Sequence, residues 1–216
     1  MEIQGDYNAQ GYAWLKGLIP APVARRFLAQ IRSDLENRGQ ALRAIAATTP
    51  LIRRYAYELY CRDYPPMLTF LWALTPTISQ IVGRPLLPTY SFFRVYLAGD
   101  VCRVHADRPA CEHSLSLTLG YADGRPWPLE IEASPVAKNA PQIAENFGEA
   151  ASAAAPMQPG DAVLYRGVEH RHGRTTPNPN RWSAHMFLHW VDPDGPHKDH
   201  AFDGDAAPPP PDFAPL

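Results

Sequence analysis

Short stretches of alternating hydrophobic and polar residues dominate the second half of the chain and restrict the folds open to it. In EHSLSLTLGY, Leu115, Leu117 and Leu119 alternate with serine and threonine. A period of two residues is typical of a β-strand with one face in the core. Further stretches with a strand composition, separated by Gly, Pro, Asp and Asn, are TYSFFRVYL, WPLEIEA, GDAVLYRG and RWSAHMFLHWV. Many short strands joined by turns predict a sandwich, jelly roll or barrel rather than a parallel α/β sheet.

The first part of the chain has a helical pattern instead. Between Pro22 and Gly39, hydrophobic residues recur at helical spacing with charged residues between them, which predicts an amphipathic helix. A second helix is predicted to begin near Pro66. We expect it to break or restart at Pro76, because proline cannot donate a backbone hydrogen bond inside a helix.

A single domain over residues 1–200 is expected, since 216 residues with 45% hydrophobic content can bury one core. We expect a mostly helical part at 1–86 and the β core at 87–196. The segment 135–159 lacks a strand period and is predicted to run over the surface as a candidate lid. Residues 201–216 include four consecutive prolines and are predicted to be extended or disordered.

Charge and hydrophobicity argue against two classes of partner, nucleic acids and membranes. Twenty basic and 22 acidic residues give a formal net charge of -2, without the basic excess typical of a nucleic-acid-binding protein. No run of about 18 apolar residues occurs, and the N-terminal segment carries an early acidic residue. We therefore expect a cytoplasmic protein that binds neither nucleic acid nor a membrane.

A histidine and an aspartate stand two residues apart on one of the predicted strands, in the stretch RVHAD. Side chains at i and i+2 of a strand point to the same face, so His105 and Asp107 should face one space, as half of a metal site would. The same spacing recurs at His197 and Asp199. That second copy lies in an acidic, proline-containing segment and is expected to be solvated surface.

Two further candidate ligands follow downstream, His170 and His172 in the stretch EHRH. They are also two residues apart, so either could face the same space as the first pair. Two histidines and one carboxylate, with open positions on the metal, form the ligand set that non-haem Fe(II) uses.

The order of these residues resembles that of the Fe(II)/2-oxoglutarate-dependent oxygenases, specifically their prolyl-hydroxylase-like branch. The similarity rests on His105, Asp107, a distal His172, and Arg181 nine residues further along, and it covers roughly residues 87–192. It implies an α+β, mainly β fold, namely a double-stranded β-helix (jelly-roll or cupin-like) with N-terminal packing helices.

The resemblance also implies roles for individual residues. His105, Asp107 and His172 would hold the iron, with His172 preferred to His170 because of its spacing to Arg181. In the family, an arginine at the start of the last core strand binds the distal carboxylate of 2-oxoglutarate, a role that falls here to Arg181.

Two more residues are implied to contact the co-substrate. Ser183, two residues after Arg181, would bind the same carboxylate. Tyr96, on the strand before the His-x-Asp pair, would donate its hydroxyl group to 2-oxoglutarate.

The implied activity is that of an Fe(II)- and 2-oxoglutarate-dependent dioxygenase that uses O₂ to hydroxylate a C–H bond and releases succinate and CO₂. The implied substrate is an amino-acid, peptide or protein side chain, with prolyl hydroxylation as one such reaction. One alternative is a cupin-like metalloenzyme without 2-oxoglutarate, which would have no use for Arg181. Another is a non-catalytic jelly-roll binding module in which the histidines are incidental. The oligomeric state stays open.

Overall fold

The computed structural model describes residues 1–137 and 142–204, within which there are three α-helices and 13 strands. The helices are α1 (Tyr7–Gln10), α2 (Ala21–Asn37) and α3 (Pro66–Val82). The strands are β1 (Glu2–Gln4), β2 (Tyr12–Lys16), β3 (Ala46–Ala47), β4 (Ala56–Tyr60), β5 (Leu87–Leu97), β6 (Cys102–His105), β7 (His113–Tyr121), β8 (Leu129–Glu132), β9 (Ile143–Ala144), β10 (Ser152–Ala155), β11 (Ala162–Tyr165), β12 (His172–Arg174) and β13 (Trp182–Val191). 3₁₀ turns are also present at Leu42–Ile45, at Pro109–Cys111 and within Lys198–Gly204, where a kink interrupts the helical backbone.

The strands form two antiparallel sheets. The larger has eight strands in the order β1-β2-β11-β7-β13-β5-β4-β3, and the smaller has five in the order β10-β8-β12-β6-β9. Although β13 is the last of the described strands in chain order, it lies inside the larger sheet and pairs with both β5 and β7. In the smaller sheet, β12 pairs with β6 so that His172 lies directly opposite His105.

The two faces of the larger sheet have different neighbours. Leu115, Leu117 and Leu119 of β7 belong to the same hydrophobic cluster as side chains of α2 and α3, as their alternation predicts. The intervening serine and threonine side chains of β7 are also buried, because they hydrogen-bond to residues that line the space between the two sheets. This inner space holds the candidate site.

The N-terminal part is less helical than expected. Residues 1–86 also supply β1 to β4, all of which join the larger sheet. These strands have two to five residues, which is too short for a recognisable period, and they form because a sheet edge is available to pair with them. None of the helices in the described part of the chain is long and apolar enough to cross a membrane.

The expected break at Pro76 is wrong, because α3 continues through it. Pro76 lies on the exposed side of the helix, while Met67, Leu71 and Ile78 are buried in the main hydrophobic cluster. Packing of that apolar face therefore outweighs the loss of one backbone hydrogen bond.

The segment 135–159 contains two short strands, β9 and β10, although its sequence has no strand period. β9 pairs with β6, and β10 pairs with β8, so that each extends an edge of the smaller sheet. Of the predicted tail, residues 201–204 are described, and Ala201, Phe202 and Asp203 among them have non-helical backbone angles, whereas 205–216 lie outside the described residues.

Candidate metal and anion site

Three of the predicted residues meet at one end of the space between the sheets. β6 ends at His105, Asp107 follows two residues later, and β12 begins at His172. One potential ligand atom from each residue lies within 4.8 Å of the others, and the two imidazole rings are 4.5 Å apart. The pairing of β6 with β12 thus joins the two halves of the predicted metal site.

Both histidines are oriented by their backbone surroundings. Nδ1 of His105 lies 2.8 Å from the carbonyl oxygen of Arg103, and Nδ1 of His172 lies 3.0 Å from that of His170. Because a carbonyl oxygen only accepts, each Nδ1 must carry the hydrogen, which leaves the lone pair on Nε2. These Nε2 atoms lie 3.6 and 3.5 Å from Oδ1 of Asp107. Two imidazole lone pairs and one carboxylate oxygen converge as metal ligands would.

Asp107 is held in place by its neighbours. Oγ of Ser114 donates to Oδ2 at 2.9 Å, and the backbone N–H of Asp107 donates to the carbonyl oxygen of Gly167 at 2.8 Å. A Cβ atom at Gly167 would collide with Oδ2 of Asp107 and with Oγ of Ser114. Gly167 is therefore needed for the close approach of its loop to the carboxylate.

The charges of the cluster suit a divalent cation. Burial is the main cause, and the neighbouring His172 the second, that together lower the pKa of His105 to about 4. Burial also raises the pKa of Asp107, but His172 and His105 hold that pKa well below its usual range. At neutral pH the site therefore has an ionised carboxylate and a neutral His105 imidazole, the protonation states that metal ligands require.

A cavity of about 690 Å³ opens onto these three residues. Many of its walls are aromatic: Tyr60, Tyr90, Phe92, Tyr96, Tyr165 and Phe187 line it. Three arginines also line it, namely Arg94, Arg108 and Arg174. Arg94 is neutralised, because it forms a buried ion pair with Glu58 at 2.8 Å.

Arg174 is buried, and the described part of the chain supplies no counter-ion for it. It is 1% exposed and lies two residues beyond His172 on β12. One guanidinium nitrogen contacts Oγ of Ser116 at 3.3 Å and Nδ1 of His185 at 3.4 Å, while Nε has no hydrogen-bond partner. Within residues 1–137 and 142–204, no carboxylate lies within salt-bridge distance of Arg174. A buried, unpaired cation is costly, so this position suits an anionic ligand.

Arg181 does not line the cavity, so the expectation that it binds the distal carboxylate of 2-oxoglutarate is corrected. Its side chain is 77% exposed and pairs with Asp123 at 3.0 Å; its backbone N–H also donates to that carboxylate. Arg181 precedes the first residue of β13, at the end of the sheet, where the turn after β7 presents Asp123. The ion pair therefore holds Arg181 at the surface.

The two other predicted co-substrate residues differ in their placement. Ser183 is buried but does not line the cavity, and its hydroxyl donates to Oδ1 of Asn178 at 2.7 Å. Tyr96 does line the cavity, and its hydroxyl accepts from Nη1 of Arg94 at 3.0 Å. Of the residues expected to contact the co-substrate, only Tyr96 is brought near the three candidate ligands.

The choice between the adjacent histidines follows from their contacts. His170 faces away from the cavity, with Nδ1 bonded to the carbonyl oxygen of Glu132 at 2.9 Å and its ring against Tyr12. Only His172 of the two joins His105 and Asp107. The second His-x-Asp copy contributes to no such cluster in the described residues, and Asp199 is exposed, as expected.

The sequence interpretation missed Arg174, although a signal for it was present. Arg174 stands two residues after His172 on the same strand, so the rule that placed His105 with Asp107 also places Arg174 on the face of His172. Ser114 and Gly167 had no comparable signal, because their roles depend on contacts between distant parts of the chain.

Comparisons with known proteins give structural matches only. No protein-family model matches the chain, and no curated protein is detectably similar in sequence. SnoK, a non-heme alpha-ketoglutarate-dependent carbocyclase from nogalamycin biosynthesis, is 13% identical; the match has a TM-score of 0.67 and covers 87% of this chain and 82% of SnoK. A prolyl-4-hydroxylase from Pseudomonas putida is 16% identical, with a TM-score of 0.56 over 86% of this chain and 94% of the other.

A third solved structure contains ligands. The epimerase SnoN, in complex with Fe3+, alpha-ketoglutarate and nogalamycin RO, is 14% identical, with a TM-score of 0.62 over 97% of this chain and 92% of SnoN. Identities this low establish the fold alone. The predicted double-stranded β-helix fold is therefore confirmed, and the chain shares it with non-heme, alpha-ketoglutarate-dependent enzymes.

Proposed function

We propose that the protein is an Fe(II)- and 2-oxoglutarate-dependent dioxygenase that hydroxylates a C–H bond and releases succinate and CO₂. The observation that carries this proposal is the presence, in one cavity, of His105, Asp107 and His172 together with the unpaired cation of Arg174. The fold shared with SnoK, the prolyl-4-hydroxylase and SnoN supports the same reaction class.

Fe(II) fits the three-residue cluster by the chemistry of its donors. Nitrogen and oxygen donors from two histidines and one carboxylate, with remaining positions open to the cavity, are the set used by non-haem Fe(II). His105, Asp107 and His172 would therefore hold the metal. Ser114 would keep Oδ2 of Asp107 engaged, so that Oδ1 faces the two imidazoles.

2-Oxoglutarate suits a cavity that is lined by both the metal cluster and Arg174, because it carries an acid group at each end. Arg174 would bind the distal carboxylate through its planar guanidinium group, with Ser116 beside it. Tyr96, fixed by Arg94, would offer a polar contact along the co-substrate. The cupin-like alternative without 2-oxoglutarate gives Arg174 no counter-ion.

When bound, the iron, 2-oxoglutarate and O₂ would supply the oxidising chemistry, and the chain would supply the geometry. The ligands fix where the reaction occurs, Arg174 orients the co-substrate, and the aromatic walls limit access of water. The proposed substrate is a small molecule or an amino-acid, peptide or protein side chain that the cavity of about 690 Å³ admits.

The proposal is tested with a matched pair of variants, His172→Gln and His170→Gln. Anaerobic titration of the Fe(II) protein with 2-oxoglutarate should give the visible charge-transfer band of a chelated keto acid in the wild type. His170→Gln should keep this band and 2-oxoglutarate-dependent succinate formation, whereas His172→Gln should lose both, because only His172 faces Asp107.

A wild-type protein that binds Fe(II) but shows neither the band nor succinate would contradict the use of 2-oxoglutarate. The opposite pattern in the two variants would move the metal ligand to His170. Circular dichroism of each variant separates loss of the site from loss of the fold.

A further inference from the structure

The three arginines of the cavity differ in how their charges are balanced. Arg94 is balanced by the buried carboxylate of Glu58, and Arg174 lies deep in the cavity without a carboxylate partner. Arg108 lies next to Asp107 in the chain, lines the same cavity and is 54% exposed at its side chain. This inference rests on the proposed function, in which 2-oxoglutarate binds Arg174. Arg108 is then the cavity arginine whose charge can bind a second ligand.

Arg108 is held in a defined position by Tyr90. Its guanidinium carbon lies 4.4 Å from the centre of the Tyr90 ring, and its Nε donates to the Tyr90 hydroxyl at 3.4 Å. Tyr90 also lines the cavity. Stacking on an aromatic ring leaves the outer nitrogens of an arginine free to bind a carboxylate.

The carboxylate that now occupies those nitrogens comes from Asp203, at the end of the described chain. Nη2 of Arg108 contacts Oδ1 of Asp203 at 3.2 Å, and both side chains are about half exposed. Asp203 is the one carboxylate within salt-bridge distance of Arg108 among residues 1–137 and 142–204. Exposed ion pairs of this kind contribute little stability and exchange easily.

The backbone that presents Asp203 is strained. Phe202 and Asp203 have φ angles of 56° and 60°, and they are the only two non-glycine residues with positive φ in the described chain. Residues other than glycine rarely adopt this backbone conformation, and it persists only where surrounding contacts hold it. Phe202 stacks on the exposed Trp72, with ring centres 6.0 Å apart, and this contact lies beside the weak Asp203 ion pair.

We propose that the substrate is a small organic acid whose anionic group replaces Asp203 at Arg108, while its apolar body lies against the aromatic walls of the cavity. In the free protein Asp203 occupies the position of that group. Phe92 and Tyr60, which line the cavity, would contact the apolar part. Arg108 would then select for an acid, and Asp203 would compete with it.

The test uses 3-phenylpropionate as probe and the uncharged 3-phenylpropionamide as its match. Isothermal titration calorimetry is carried out under anaerobic conditions on Mn(II)-loaded protein that has first been saturated with 2-oxoglutarate, so that Arg174 is already occupied. The wild type should bind the acid at least about tenfold more tightly than the amide. Arg108→Gln should bring the two affinities within about twofold of each other.

A second variant, Asp203→Asn, tests whether Asp203 competes with the acid for Arg108. It removes the competing charge, so the affinity for the acid should rise by about three- to tenfold while that for the amide stays unchanged. Each variant is checked by circular dichroism and by its own 2-oxoglutarate titration, which shows that the fold and the deep site are intact.

Equal or undetectable binding of acid and amide by the wild type would overturn the proposal, as would a preference for the acid that survives in Arg108→Gln. Unchanged acid affinity in Asp203→Asn would overturn the competition by Asp203. Failure of the proposed function is seen separately, as the absence of heat when 2-oxoglutarate is added in the first step.

Discussion

Arg174 is the residue that would bind the distal carboxylate of the proposed 2-oxoglutarate. Its charge is buried, and no carboxylate in the described chain balances it. Binding of 2-oxoglutarate would supply the missing partner. Removing one member of a buried, hydrogen-bonded charged pair typically costs about 2–5 kcal/mol.

We therefore expect Arg174→Gln to weaken binding of 2-oxoglutarate to the Fe(II) protein by about thirtyfold or more. The matched control is Arg181→Gln, which removes an exposed arginine paired with Asp123 and should change the affinity by less than about twofold. Anaerobic spectroscopic titration measures both.

The stability of the protein without 2-oxoglutarate is a second measurement on the same two variants. Because Arg174 is an unpaired buried cation, Arg174→Gln should leave the free energy of unfolding unchanged or raise it. A large loss of stability would show that Arg174 serves the fold. Tight 2-oxoglutarate binding by Arg174→Gln, together with weak binding by Arg181→Gln, would restore the original assignment of Arg181.

These residues also mark how far the site could be predicted from the sequence. The i, i+2 rule for strands grouped His105 with Asp107, although β6 ends at His105 and Asp107 follows it. The resemblance to the oxygenase family selected His172 through its spacing to Arg181, and the structure brings His172 together with the other two. The spacing could not show that Arg181 precedes β13 or that Asp123 lies beside it, since both depend on where the strand begins and which turn packs there.

At the scale of single elements, α3 shows how a helix can continue through a proline. Thr75, directly before Pro76, donates its hydroxyl to the carbonyl oxygen of Leu71 at 2.7 Å. The same hydroxyl accepts a hydrogen bond from Nε1 of the fully buried Trp190 at 2.8 Å. One side chain thus supports the turn before the proline and joins α3 to the central strand β13.

Thr75→Val should lower the free energy of unfolding by about 1–3 kcal/mol, because it leaves the buried Nε1 of Trp190 without a partner. Thr69→Val is the matched control. Thr69 is an exposed residue of the same helix, and its replacement should change the stability by less than about 0.5 kcal/mol. Chemical denaturation measures both, and equal effects of the two substitutions would show that the Trp190 contact contributes nothing.

The elements differed in how well they could be predicted. β7 and β13 were predictable, because their residues alternate or are strongly apolar over nine or ten positions. β9 and β10 were not, since an Ala-rich stretch such as Ser152–Ala155 has no hydrophobic period and becomes a strand only by pairing with β8. Local patterns therefore identify long strands such as β7 and β13, whereas tertiary contacts decide short strands such as β9 and β10.

At the scale of the whole molecule, several buried histidines are expected to make stability depend on pH. Burial lowers the pKa of His105, His113 and His189 to about 4, and it lowers that of His185 well below its usual value. In the unfolded chain these groups titrate near 6.5 and so bind more protons than the folded state between pH 7 and 5. Stability is therefore present above the unfolded pKa and is lost as the pH falls.

We expect the metal-free protein to lose about 1–2 kcal/mol of unfolding free energy per such histidine between pH 7 and pH 5. His113 is not one of the three candidate metal ligands and bonds to the hydroxyl of Tyr7, which makes His113→Gln a suitable probe. This variant should lose stability less steeply over the same range. Urea denaturation at a series of pH values measures the slope, and a flat profile for the wild type would contradict the expectation.

The position of β13 has a consequence for how the protein is made. Synthesis delivers β13 after the twelve other described strands, yet β13 is the strand that joins β5 to β7. Until it leaves the ribosome, two partial sheets each expose an unpaired edge, and such edges invite pairing with other chains. The cavity cannot close before that moment. We therefore expect chaperones that hold the nascent chain to raise the yield of folded protein, which translation with and without them would measure.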